Sequence, residues 1–327
     1  MFALTSRHAM LRRPPSVLPL LLALALGCDS AADPVGPATE PLAAETETAA
    51  PAYTLAALTT QRIVFTSTRK GGYDVFKMDP QGSNLVPLAT SANFEFAPAW
   101  SRDNKRIALV RQRFNGTYTY DDIYVMNGDG TNGHWARSTP SNYHLMFPSW
   151  SPDGTRLVLN VRISDVPYIG WINLVTGQLG VYSTGFGGLQ GQSPTYSPNG
   201  QVVYVGATSK TIDRMNADGS NHTTLVTATT PLRDPSLSPD GKKLAFAKYI
   251  NGNFDIFVKN FVDGTVKRLT SSTAYDGQPT WSPDGSRIAF TSYRSGQYQV
   301  WTMNASGGDY QRITHTSTTE KDPAWSH

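Results

Sequence analysis

The stretch Trp281-Ser282-Pro283-Asp284-Gly285-Ser286-Arg287-Ile288-Ala289-Phe290-Thr291-Ser292 decides the fold of this chain. Its Ser-Pro-Asp-Gly segment is a tight turn, because Pro283 presets the φ of the second turn position and Gly285 supplies a positive φ. The run from Arg287 to Thr291 that follows is dominated by apolar side chains, as a strand buried between neighbours must be. Outward from this stretch the same unit returns. Ala99-Trp100-Ser101-Arg102-Asp103-Asn104, Ser149-Trp150-Ser151-Pro152-Asp153-Gly154, Thr195-Tyr196-Ser197-Pro198-Asn199-Gly200 and Ser236-Leu237-Ser238-Pro239-Asp240-Gly241 precede it, and Ala324-Trp325-Ser326-His327 follows. The marker serines lie 50, 46, 41, 44 and 44 residues apart, the length of one four-stranded propeller blade.

The remaining strands of each unit can be placed from these markers. Second strands follow the turn at Arg106 to Val110, Arg156 to Asn160 and Lys243 to Ala247. Third strands are expected at Tyr73 to Met78, Asp122 to Met126, Phe254 to Val258 and Tyr298 to Met303, and fourth strands at Val266 to Leu269 and Tyr310 to Ile313. Between third and fourth, runs such as Asn127-Gly128-Asp129-Gly130 favour another hairpin. The first unit begins near Gln61 with no marker turn before it, whereas Trp325-Ser326 supplies one more innermost strand than the C-terminal unit needs. The expectation is an all-β, six-bladed β-propeller over 61–327, in which the C-terminal strand completes the first blade and leaves no open edge.

The repeat resembles the Pro-Asp propeller repeat of the TolB family, most closely from Trp281 through Arg294, Gly296, Trp301, Met303 and Asn304 to Arg312-Ile313-Thr314. Residues 156 to 197 depart from the pattern, with Trp171-Ile172-Asn173-Leu174 in place of the usual third strand and glycines from Gly185 to Gly191. The resemblance implies a six-bladed propeller. The α/β domain that precedes the propeller in TolB itself has no counterpart here, because residues 29 to 60 read as a tether.

Composition narrows place and partners. The chain has 28 Lys plus Arg against 25 Asp plus Glu, but Arg7, Arg12 and Arg13 account for the excess, which argues against nucleic acid. Those arginines precede an apolar stretch from Val17 to Leu26, the order of a secretory signal over 1–27. Ala25-Leu26-Gly27-Cys28 resembles a bacterial lipobox, with the single cysteine of the chain, Cys28, as the lipidated residue. Residues 28–60 are rich in Ala, Pro, Thr and Glu and carry five acids and no base, which reads as a disordered tether. The expected location is therefore the bacterial cell envelope, lipid-anchored and facing the periplasm or the outer surface.

Chemistry-bearing motifs are sparse. An EF-hand counted from Asn127 finds Asn132 and Ser138 where glycine and glutamate are needed, and the histidines show no zinc spacing. No G-x-S-x-G elbow occurs, and no hydrolase domain is expected after the propeller. Arg69, Arg111 and Arg294 recur after the second strand and suggest ion pairs repeated in each blade. The strongest constellation precedes the innermost strands: Glu95, Asp276 and Glu320 stand three residues ahead of Pro98, Pro279 and Pro323, Asp234 and Asp322 directly precede Pro235 and Pro323, and His144 lies ahead of Pro148. In a propeller these segments converge on one end of the channel, where an acidic ring would attract a basic partner or a divalent cation such as calcium. No other cofactor is implied. The expected function is a monomeric scaffold that binds an envelope protein or a small ligand. The alternative is an enzyme acting on envelope polysaccharide or peptide at the channel mouth.

Overall fold

The structure, a computed structural model, describes residues 61–114, 116–137, 143–183 and 187–327. The signal, the lipidated Cys28 and the tether expected over 1–60 lie outside the described residues.

Among the described residues twenty-four strands form six antiparallel four-stranded sheets. Blade 1 contains β1 (Ile63–Ser67), β2 (Asp74–Met78) and β3 (Val86–Ala89); blade 2 contains β4 (Glu95–Trp100), β5 (Arg106–Phe114), β6 (Thr119–Asn127) and β7 (His134–Arg137). Blade 3 contains β8 (Tyr143–Trp150), β9 (Arg156–Ile163), β10 (Val166–Asn173) and β11 (Leu179–Val181), and blade 4 contains β12 (Gly191–Tyr196), β13 (Val202–Gly206), β14 (Thr211–Met215) and β15 (Thr223–Thr227). Blade 5 contains β16 (Leu232–Leu237), β17 (Lys243–Ile250), β18 (Asn253–Asn260) and β19 (Val266–Arg268); blade 6 contains β20 (Asp276–Trp281), β21 (Arg287–Ser292), β22 (Gln299–Asn304) and β23 (Gln311–Arg312). The last strand, β24 (Glu320–Trp325), pairs with β1, as Ile63 opposite Trp325 and Ser67 opposite Glu320. The ring is thus closed by the C-terminal strand, as the sequence predicts.

The marker turn is held by its own side chains. In blade 3 the Ser151 hydroxyl donates to Asp153 at 2.6 Å and accepts from the Arg156 amide at 2.9 Å. That hydroxyl bond holds the Asp153 carboxyl below the usual carboxylate range. The marker aromatics then join blades: Trp150 donates from Nε1 to the Ala99 carbonyl at 3.0 Å and Trp281 to the Ser236 carbonyl at 3.1 Å, each on the preceding blade. Around Trp281, Ala245 and Ile256 of blade 5 pack with Ile288, Phe290 and Trp301 of blade 6. Blade 3 has all four strands despite its divergent sequence. Trp171 to Asn173 belong to β10, and the departure falls on a three-residue β11 and the connection after it.

Candidate functional site

Each innermost strand carries the same irregularity. Its pairing register shifts immediately before the repeat proline, and the residue there is left-handed: Ala97, Phe147, Ser193, Asp234, Gln278 and Asp322 have φ between 47° and 55°. Proline has no N–H to give a ladder and is tolerated because this strand is an edge facing the channel. The left-handed residue costs about 1–2 kcal/mol, and side chains of neighbouring strands offset part of that by capturing its amide. Ala97 donates to Thr66 Oγ1 at 3.1 Å, Ser193 to Asn160 Oδ1 at 2.9 Å, Gln278 to Asp234 Oδ2 at 3.2 Å and Asp322 to Gln278 Oε1 at 3.1 Å. The six prolines and the six residues before them line a cavity of about 200 Å3. We refer to the end at which the innermost strands begin as the top of the channel.

Chemistry at the top is concentrated in blades 5, 6 and 1. Asp322 accepts from Thr66 Oγ1 at 2.9 Å and from the Gln278 amide, and Thr291 Oγ1 donates to Gln278 Oε1 at 2.7 Å. Gln278 therefore stands between the two carboxylates of Asp234 and Asp322 and bonds to both. Asp234 is partly open to the channel yet walled by protein, and burial pushes its carboxyl above the usual range. Arg233 and the Gln278 amide oppose that rise, and Asp322 adds to it.

The structure separates the six residues singled out from the sequence. Asp234 and Asp322 share the channel. Glu95, Asp276 and Glu320 are fully buried at the starts of their strands and face the recurring arginines instead: Glu95 pairs with Arg111 at 2.9 Å, Asp276 with Arg294 at 2.8 Å and Glu320 with Arg69 at 2.9 Å. The arginines stack on aromatic rings of the same blade, as Arg111 does over Tyr124 at 3.5 Å and Arg294 over Trp301 at 5.1 Å. Burial still outweighs Arg294 and pushes the Asp276 carboxyl up. His144 lies at the seam of blades 2 and 3, with Nδ1 2.8 Å from Asp121 Oδ2. These four do not extend the Asp234 and Asp322 pair into a ring. Among the described residues no three His, Cys, Asp or Glu side chains are placed to hold a metal ion. Gln278 turns N–H donors toward both channel carboxylates, while its Oε1 is taken by the Thr291 hydroxyl and the Asp322 amide; N–H groups do not ligate calcium, so this arrangement does not fit that ion.

Sequence reasoning missed Gln278, Thr66, Thr291 and Asn160. Extending the column before the repeat proline to every unit would have found Gln278. It also missed the rim. Among the described residues six of the seven exposed aromatics, Phe94, Phe114, Tyr118, Phe147, Tyr249 and Tyr293, lie on segments at the top, and Trp135 does not. Behind them runs a chain of edge-on ring contacts from Tyr249 through Phe254, Tyr275 and Tyr298 to Tyr293.

A closed six-bladed propeller with a bulged, proline-lined channel and an aromatic rim is the class of protein that this geometry defines. The family model described as the TolB beta propeller domain matches residues 42–238 and 232–327, and the chain belongs to that family. Similar curated proteins include the Tol-Pal system protein TolB of Xanthomonas campestris pv. campestris strain B100, 36% identical over 62 residues, 19% of this chain and 14% of that protein. Its counterpart in Xanthomonas oryzae pv. oryzae strain PXO99A is 31% identical over 83 residues, 24% of this chain and 19% of that protein. The matches thus span less than a fifth of those relatives. Among solved structures, TolB from Acinetobacter baumannii superposes with a TM-score of 0.70 at 21% identity, over 81% of this chain and 66% of that one. An oligogalacturonate lyase in complex with manganese superposes at 0.53 with 16% identity, over 78% and 74%. At these identities the likeness is one of fold.

Proposed function

We propose that the chain is a lipid-anchored propeller of the bacterial envelope, and that the top of its channel is a docking site for a positively charged segment of another envelope protein. The observation that carries this reading is the pair Asp234 and Asp322 in a channel whose rim presents the exposed aromatics. Carboxylates recessed in a partly enclosed mouth attract a cationic side chain, and aromatic rings supply contact area at low entropic cost. Membership of the TolB family agrees with a binding scaffold. In this reading Cys28 carries the lipid, and residues 28–60 behave as a flexible tether with a mean reach of about 30 Å.

Labelled fatty acid should enter the full-length protein and not its Cys28→Ala variant, and absence of label from the wild type would refute the anchor. Cross-linking in membrane extracts should trap a partner that is lost both in Asp234→Asn/Asp322→Asn and above about 0.5 M salt, where exposed attraction is screened. A partner indifferent to both would place docking elsewhere. One observation favours the enzymatic alternative: Asp234 holds its proton more readily than an ordinary carboxyl, as a general acid must. Polysaccharide cleavage abolished by Asp234→Asn would support it.

A further inference from the structure

The six marker serines occupy equivalent places at the bottom of the channel, five of them opening a marker turn. The residue after the marker serine is Pro152, Pro198, Pro239 or Pro283 in blades 3 to 6, but it is Arg102 in blade 2 and His327 beside blade 1. The two departures are neighbours in the closed ring. Together they line a cavity of about 130 Å3 with Trp100, Trp281 and Trp325. Asn104, standing where the other turns carry glycine, ties them together. The His327 amide donates to Asn104 Oδ1 at 2.7 Å, and the Asn104 side-chain amide bonds back to the His327 carbonyl.

Arg102 is half-buried, and among the described residues no hydrogen bond, ion pair or ring contact engages its guanidinium. Arg69, Arg111 and Arg294, by contrast, each have a buried carboxylate. Among the described residues no Asp or Glu side chain lines this cavity. The nearest acid in sequence, Asp103, is occupied by the Ser101 hydroxyl at 2.6 Å and the Lys105 amide at 3.1 Å. A guanidinium offers five donors in a planar fork, and leaving them partly desolvated and unmatched is costly. The tryptophans around it form walls that suit an apolar body attached to the group that meets the fork.

We propose that this bottom cavity binds a carboxylate carried on a small aromatic or apolar body, with both oxygens on the Arg102 fork and the body among the tryptophans. Bidentate geometry distinguishes the fork from a simple positive charge. A strongly hydrated tetrahedral anion meets the same fork but gains nothing from the apolar walls.

The test titrates the full chain with benzoate, acetate and inorganic phosphate at pH 7, following tryptophan fluorescence and the melting temperature. Benzoate should give a saturable change, with acetate and phosphate at least tenfold weaker. Arg102→Pro restores the residue of the four sister turns, so it should fold normally and lose benzoate binding. Arg102→Lys, which keeps the charge but not the fork, should weaken binding at least tenfold. Unchanged benzoate affinity in either variant would overturn the assignment. So would the absence of saturable binding by any of the three anions, or tighter binding of phosphate than of benzoate.

Discussion

At the top of the channel the residue before the repeat proline runs Ala97, Phe147, Ser193, Asp234, Gln278, Asp322 around the ring; at the bottom the residue after the marker serine is Arg102, four prolines and His327. The same six strands therefore end in two carboxylates above and in an arginine and a histidine below. Residues that recur in every blade hold the ring together, whereas positions that break the recurrence bring charge into the channel. A repeat protein can in this way change its ligand chemistry without touching the elements that stabilise it.

That division is most exposed where a recurring element is removed. Deleting Asp322 to His327 takes Trp325 out of the core and leaves β1 without its edge partner, and loss of a buried Trp alone costs about 3–5 kcal/mol. The melting temperature should fall by about 10 °C or more. A truncated chain as stable as its parent would show that β24 does not close the ring.

A smaller effect separates the two sets of acids at the top. Asp276→Asn and Glu320→Gln each leave a mostly buried arginine facing an uncharged side chain, and breaking such a pair costs about 3 kcal/mol. Both should lower stability in denaturant melts while leaving any cationic ligand of the channel bound. Asp234→Asn should instead be neutral or stabilising by up to about 1 kcal/mol. Asparagine accepts the same Gln278 amide, tolerates the left-handed backbone and removes a charge near Asp322. A gain of stability from Asp276→Asn would return that residue to the channel site.

The smallest effect is a contrast in acid response. Asp234 titrates above its ordinary range when folded, so the folded chain takes up a proton more readily than the unfolded one, and lowering pH from 7 stabilises it through this group. His327 behaves in the opposite sense. Burial, with Arg102 adding to it, lowers its imidazole to about 4 from an ordinary 6.5, so its contribution is complete above pH 6.5 and is lost as pH falls toward 4. His327 is exposed to channel solvent while protein surrounds it, which keeps the effect modest. Stability between pH 6.5 and 4 should decline less in His327→Gln than in the parent; parallel curves would contradict the placement of the imidazole beside Arg102.

The propeller was legible in the sequence because each marker turn declares itself locally: serine, proline, aspartate and glycine all act within six residues, and their spacing counts the blades. Closure by Trp325 was legible for the same reason. Fourth strands were less so. The one expected at Tyr310 to Ile313 is only Gln311–Arg312, since an outer edge strand is held by few contacts. The channel site was half legible. Asp234 and Asp322 stood out by preceding proline, but Glu95 and Asp276 looked equivalent, since two residues along a regular strand return to the same face. The bulge at Ala97 and Gln278 breaks that rule and turns the two positions apart, and cross-strand register then sets Glu95 opposite Arg111. Arg102 and His327 were visible as exceptions, but only the closed ring makes them neighbours.

The central claim is that positions breaking the repeat give the two ends of the channel opposite and independent charge. It is tested most directly by measuring a tetra-arginine peptide and benzoate against the parent, Asp234→Asn/Asp322→Asn and Arg102→Pro by calorimetry at low salt. The peptide should be lost only in the double variant and benzoate only in Arg102→Pro. If either variant abolished both ligands, or neither variant affected its own, the two ends would not be the separate sites described.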